Sequence, residues 1–169
     1  RFGASKDFEE RTKRAGDTKN RSIDKLFDNI ELFTNKIEAL GGNIFRASSG
    51  SDAVEYIIKL AKENKVKLVS KSKSMTSEEI SLNEAMEKEE IQVIETDLGE
   101  RIVQLGHEKP SHIIAPAVHR TKQEVARLFS ESIGEEVPPD IYEITKVARK
   151  TLRNPFLDAG MGIVGVNIA

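Results

Sequence analysis

The stretch VKLVSKSKSMTSEEISLNEAMEKEEIQVIETDLGE, residues 66–100, decides the fold. It opens on a short apolar run at 66–70, crosses a polar loop, takes up helical spacing to about Lys88, and returns to a β-branched run at 91–95. Short runs of this kind suit buried strands, and Thr76 with Glu79 offers a capping box for the helix between them. Strand, crossover helix and second strand form a βαβ unit, whose two strands run parallel.

The pattern continues on both sides. Downstream, residues 113–115 read as a further buried strand. A helix follows, with a cap at Thr121 and Glu124, an inner face of Val125, Leu128 and Phe129, and a stop at Gly134. Pro138 and Pro139 interrupt, and Asp140 with Glu143 starts a last helix carrying Ile141, Ile144, Ala148 and Leu152 on one stripe. Upstream, residues 44–47 read as a weak strand, and Asp52 with Glu55 opens a helix bearing Val54, Ile57, Ile58 and Ala61. Ile23, Leu26, Phe27, Ile30, Phe33, Ile37 and Leu40 recur at three- and four-residue steps before Gly41 and Gly42, which predicts an amphipathic helix. Residues 1–21 hold only Phe2 and Phe8 as large apolar groups and read as a mobile charged lead-in or frayed helix. The expected class is α/β: three layers, a mostly parallel sheet over residues 22–169 with helices on both faces.

A length of 169 residues fits one core. Lys and Arg against Asp and Glu give 26 − 28 = −2, so a grip on nucleic acid by bulk charge is not expected. The chain has no cysteine, which excludes a disulfide, a thiolate-held zinc or iron–sulfur centre and a catalytic thiol within it. No apolar run approaches the roughly 18 residues of a membrane span, and residues 1 and 2, Arg and Phe, do not open a signal peptide, so a cytoplasmic address is the default. The glycine-spaced apolar end from Met161 to Ala169 reads as a chain entering a strand. The expectation is that the C-terminal part of the domain is missing, and that an unpaired strand edge invites self-association into a homo-oligomer.

Ligands of open parallel sheets bind outside the carboxyl ends of the strands, which selects three loops. Lys71, Lys73 and Ser74 lie in the first, ahead of a helix N-terminus, and suit a phosphate or carboxylate; the alternative is that Thr76 and Ser77 simply cap the helix and the lysines are solvated. Glu95, Asp97 and Glu100 gather in the second, as ligands of a hard cation or as a base, or else with Asp97 as a turn or cap residue beside Gly99 and the glutamates as a wet face. His119 beside Arg120 ends the third strand, as an acid, base or anion clamp, or as a cap. His112 would begin that strand, about 23 Å from His119, too far to share a metal, and His107 reads as an exposed turn residue. Gly160, Gly162 and Gly165 spell GxGxxG, but a helix precedes them and no helix follows, so they read as a turn or close backbone crossing.

At these loops the sequence resembles the lactate utilization family, specifically its LutB-type iron–sulfur subunits and their LUD domain. The strings that carry the likeness are VKLVSKSKSMTSEEISLNEA from Val66, ETDLGERIVQL from Glu95, PSHIIAPAVH from Pro110 and LRNPFLDAGMGIVGVNIA from Leu152. The resemblance implies a three-layer fold similar to the NagB/RpiA/CoA-transferase group. It implies a place in a cytoplasmic complex that oxidises L-lactate to pyruvate, with sister subunits as partners and no membrane span. A 4Fe-4S cluster is implied on a cysteine-bearing region that follows the LUD domain; the cysteine-free chain itself would hold no cofactor. The family usually has Asp at the position of Gly160 and Thr at that of Val164, and this sequence departs from it at both. The motif positions that carry over as ligand-binding residues are Lys71, Lys73, Ser74, Glu95, Asp97, Glu100 and His119; catalytic residues are not implied. The competing expectation, by fold analogy, is a pocket for a phosphosugar, folate or CoA ester.

Overall fold

The computed structural model describes residues 6–112 and 114–165. The chain divides into two compact units between Arg46 and Ala47. The first contains helices α1 (Lys6–Asp24) and α2 (Leu26–Ala39). The periodic apolar run from Ile23 is thus helical but interrupted at Lys25, and Gly41 closes it in the left-handed conformation that favours glycine (φ 82°). Its stripe is not enclosed. Phe27, Phe33 and Leu40 are exposed, and α2 has no buried residue.

The second unit is the α/β layer structure. Its elements are α3 (Gly50–Glu63), β1 (Leu68–Lys71), α4 (Met75–Glu79), α5 (Leu82–Lys88), β2 (Gln92–Glu95), α6 (Leu98–Leu105), α7 (Lys122–Ile133), α8 (Ile141–Asp158) and β3 (Met161–Ile163). The three strands are parallel in the order β2-β1-β3. Alternation along the strands separates two cores. Val69 and Val93 join Ala61 of α3 and Leu82 and Met86 of α5 on one face. Toward the other face, Ser70 donates to the Pro155 carbonyl of α8 at 3.5 Å. There α6, α7 and α8 enclose a second core of Ile102, Val125, Ala126, Phe129, Val137, Ile144 and Ala148.

Several expectations about local structure need correction. Residues 44–47 form no strand. The run 113–115 is not a buried strand: Ile113 lies outside the described residues, and Ile114 and Ala115 are exposed in a loop. The His112 ring takes the backbone N–H groups of Ile114 and Ala115 through Nδ1, at 3.2 Å each, and those are donors a strand ladder would require. The helix expected up to Lys88 is two helices. Ile80 and Leu82 both face the first core, which residues two apart cannot do on one continuous helix, and Ser81 breaks the helix between them in the left-handed conformation, φ 51°. Nor is Thr76 its cap; Ser74 caps α4. Ser49, not Asp52, accepts the capping bond of α3. The caps at Thr121 and Asp140 stand as read.

Met161–Ile163, inside the glycine-spaced segment, is strand β3 beside β1, and the backbone does approach closely there. A Cβ on Gly165 would overlap the Ser74 side chain, so the second residue after β3 must be small for the first loop to keep its course.

Candidate functional site

Parallel register places Lys71 directly beside Glu95, each the last residue of its strand and on the same face. Their side chains meet at 2.7 Å with almost no exposure, 0% and 4%. Lys71 also donates to the Ser77 hydroxyl at 3.1 Å, and Ser77 in turn donates to the Ser74 carbonyl at 2.8 Å. Asn83 of α5 donates to Glu95 Oε1 at 2.8 Å. A buried charge pair costs desolvation of both ions and survives where further hydrogen bonds complete it, as these do.

The backbone of β2, an edge strand, is satisfied from α6. Gln104 Nε2 donates to the Val93 carbonyl at 2.7 Å, and the Glu95 N–H donates to Gln104 Oε1 at 3.2 Å. Arg101 donates to the same oxygen at 2.6 Å. Helix α6 is itself aimed by Asp97, whose carboxylate accepts the Glu100 N–H at 3.2 Å as N-cap. Asp97 is therefore a cap, the turn-or-cap alternative to its reading as a cation ligand or base.

Glu100 on the first turn of α6 is buried and faces Lys73, with Nζ to Oε1 at 3.4 Å. Lys73 also donates to the Ile114 carbonyl at 3.1 Å, and at 28% exposure it is reached by solvent. Burial holds the Glu100 carboxyl above its ordinary range, and the nearby Glu78 carboxylate raises it further against the lowering pull of Lys73. Burial likewise raises Glu78, opposed by Lys71 and reinforced by Glu95. Oxygens of Glu78, Asn83 and Glu95 (Oε1, Oδ1 and Oε2 in turn) are buried without a hydrogen-bond partner among the described residues.

A carboxyl whose folded pKa is raised binds more protons folded than unfolded, so its contribution falls as pH rises through the folded value. Glu78→Gln is therefore expected to raise the melting temperature at pH 7.5 and to change it little at pH 4.5. Equal shifts at both pH values would contradict the burial of that carboxyl.

Lys71, Lys73, Glu95 and Glu100 thus form one charged cluster at the carboxyl ends of β1 and β2, bordered by Ser74. His119 does not join it by direct contact. Its ring bridges Ser111 Oγ at 2.8 Å and Glu108 Oε2 at 2.9 Å, and Arg120 also pairs with Glu108. The Ser111 hydroxyl donates its single proton to the Pro116 carbonyl at 2.9 Å. His119 is a clasp of the loop 108–120, and that loop meets the cluster through Ile114 and through Pro116, which packs against Gly99. The sequence reading missed Ser77, Glu78, Asn83, Arg101 and Gln104. The one signal for the last two was the spacing of Leu98, Ile102 and Leu105, which marks α6 as a helix.

Among the described residues no group of three or more His, Cys, Asp or Glu side chains is placed to hold a metal ion. None of the described helices is long and apolar enough to cross a membrane.

No solved structure matches the chain. Lactate utilization protein B of Bacillus cytotoxicus is 42% identical over 151 residues, covering 89% of this chain and 32% of that protein. Lactate utilization protein B 2 of Bacillus mycoides and lactate utilization protein B of Bacillus cereus are each 40% identical over the same coverage. The chain spans about a third of the length of these curated relatives. The family model of the LUD domain matches residues 30–169, which include both strands of the charged cluster and all of its side chains. With relatives of this similarity along most of its length, the chain belongs to the LUD domain family.

Proposed function

We propose that this chain is the amino-terminal LUD-domain portion of a lactate utilization protein, working in a cytoplasmic assembly that oxidises L-lactate to pyruvate. Its own part is to bind a small carboxylate, or a sister subunit presenting one, at the Lys73 rim of the charged cluster. The observation that carries this reading is the 42% identity to a lactate utilization protein B across 89% of the chain.

Oxidation of lactate to pyruvate removes two electrons and two protons, and needs an electron acceptor. The cysteine-free residues here do not fit an iron–sulfur cluster, so the electron path belongs to the two thirds of the relatives that this chain does not span. What the chain supplies is an ammonium group with an exchangeable partner. Lys73 is partly exposed, whereas its partner Glu100 is enclosed and raised toward its neutral form. On acidification Glu100 is predisposed to take a proton, leaving the Lys73 charge for an incoming carboxylate. Lys71, enclosed and fully occupied by Glu95 and Ser77, holds the strand ends in place beneath it.

The test is thermal denaturation with L-lactate or pyruvate against chloride of equal ionic strength. Both organic anions should raise the melting temperature, more at pH 5.5 than at pH 7.5. Lys73→Ala should remove the shift, and His119→Ala should leave it largely intact because its contacts stay within its own loop. Absence of any shift, or a shift that survives Lys73→Ala, would refute the rim as the binding place.

A further inference from the structure

One cleft of the α/β unit lies away from Lys73. It is an open cleft of about 1100 Å³ beside α8, lined by Thr96 just after β2, by Ile133 and Glu135, and by α8 residues between Val147 and Phe156. The volume is far larger than a three-carbon acid requires and lies at the upper end of small-molecule sites. Its walls have two characters. Ile133, Val147, Leu152 and Phe156 supply an apolar floor, whereas Arg149, Lys150 and Arg153 line the cleft with three positive charges against the single carboxylate of Glu135.

None of those three cations forms an ion pair with another described residue. That sets them apart from Arg120, which is held by Glu108 and Glu124 in the same unit. Arg149 and Arg153 stand four residues apart on α8, hence on one helix face with Cβ atoms roughly 6 Å from each other. Two guanidinium groups at that spacing form a fork for phosphoryl oxygens, which they bind in bidentate fashion. The cleft also opens at the carboxyl end of a parallel strand, where open sheets place their ligands.

We propose that this cleft binds an organic phosphate of two or more negative charges carrying an apolar or aromatic body, the chemical class of a nucleoside diphosphate. The phosphates sit on Arg149 and Arg153 with Lys150 alongside, and the body covers Phe156 and Leu152. The site is separate from the Lys73 rim and does not depend on the lactate reading.

The test uses the 169-residue chain and isothermal titration with ADP, inorganic pyrophosphate, L-lactate and an acidic peptide of Glu residues. ADP should bind at least tenfold more tightly than pyrophosphate, because only ADP reaches the apolar floor. Arg149→Ala with Arg153→Ala should weaken ADP at least tenfold, with Arg149→Lys and Arg153→Lys recovering part of the affinity. Phe156→Ala should weaken ADP while leaving pyrophosphate unchanged. All three residues are exposed, so circular dichroism should show the fold intact in each variant. Lys73→Ala should leave ADP binding unaltered, and the paired Arg variant should leave the lactate-induced thermal shift unaltered, so each proposal can fail alone. No ADP binding at 1 mM, roughly the weak end of ligand affinities, would overturn the proposal. Pyrophosphate binding as tightly as ADP would overturn it in favour of simple anion attraction, and tighter binding of the acidic peptide would overturn it in favour of a protein partner.

Discussion

Lys71→Met is expected to destabilise the α/β unit by about 3–5 kcal/mol at neutral pH, the range found when one member of a buried ion pair is removed. The side chain is fully enclosed, and its loss leaves the Glu95 carboxylate with Asn83 as its remaining described donor to the side chain. Ser77 loses its donor as well. The cost comes from the stranded charge, so it should shrink when the charge is removed too: the double variant Lys71→Met with Glu95→Leu should recover a large part of it. Urea unfolding of the wild type, both single variants and the double variant gives the coupling. Additive losses would mean that the two groups do not interact, against the 2.7 Å contact.

Phe129→Ala is expected to cost a similar amount, about 3–5 kcal/mol, for a different reason. The ring is 1% exposed and is the largest member of the second core, between α6, α7 and α8. Truncation loses apolar burial and leaves a void that Ile102 of α6 and Ile144 and Ala148 of α8, fixed on two separate helices, can fill only partly. The same denaturation experiment measures it. A loss below about 1 kcal/mol would place the ring at a surface able to collapse around the gap. Because α8 forms the wall of the cleft, this variant should also weaken ADP binding, whereas Phe156→Ala acts on the ligand without touching the core.

Much of the layered fold was legible along the chain. Val69, Val93, Leu82 and Met86 fall where strand and helix periods place them, and the capping box at Thr121 and Glu124 is local chemistry that reads directly. Failures arose where a tertiary neighbour outweighed the local pattern. Ile114 sits in an apolar run yet is exposed, because its N–H donates to His112 and its carbonyl accepts from Lys73, which leaves neither backbone group for a strand ladder. Ile80 and Leu82 break a helix between them because both are drawn to the same core. The site divides in the same way. Lys71, Lys73, Glu95 and Glu100 were named from loop position, and the fold joins them. Asn83, Arg101 and Gln104 carry no motif, and their roles exist only once α5 and α6 flank the edge strand.

The order of residues alone determined the α/β class, the parallel strands, the helix caps at Thr121 and Asp140 and the absence of thiol chemistry, since each follows from side-chain type and near-neighbour spacing. Register, burial and pairing were settled by the tertiary structure. Whether Lys71 is a solvated lysine or half of an enclosed ion pair depends on Glu95, 24 residues further along the chain, arriving at the same level of the adjacent strand. Coulomb attraction and desolvation act through space, and no local pattern encodes which distant charge will be there.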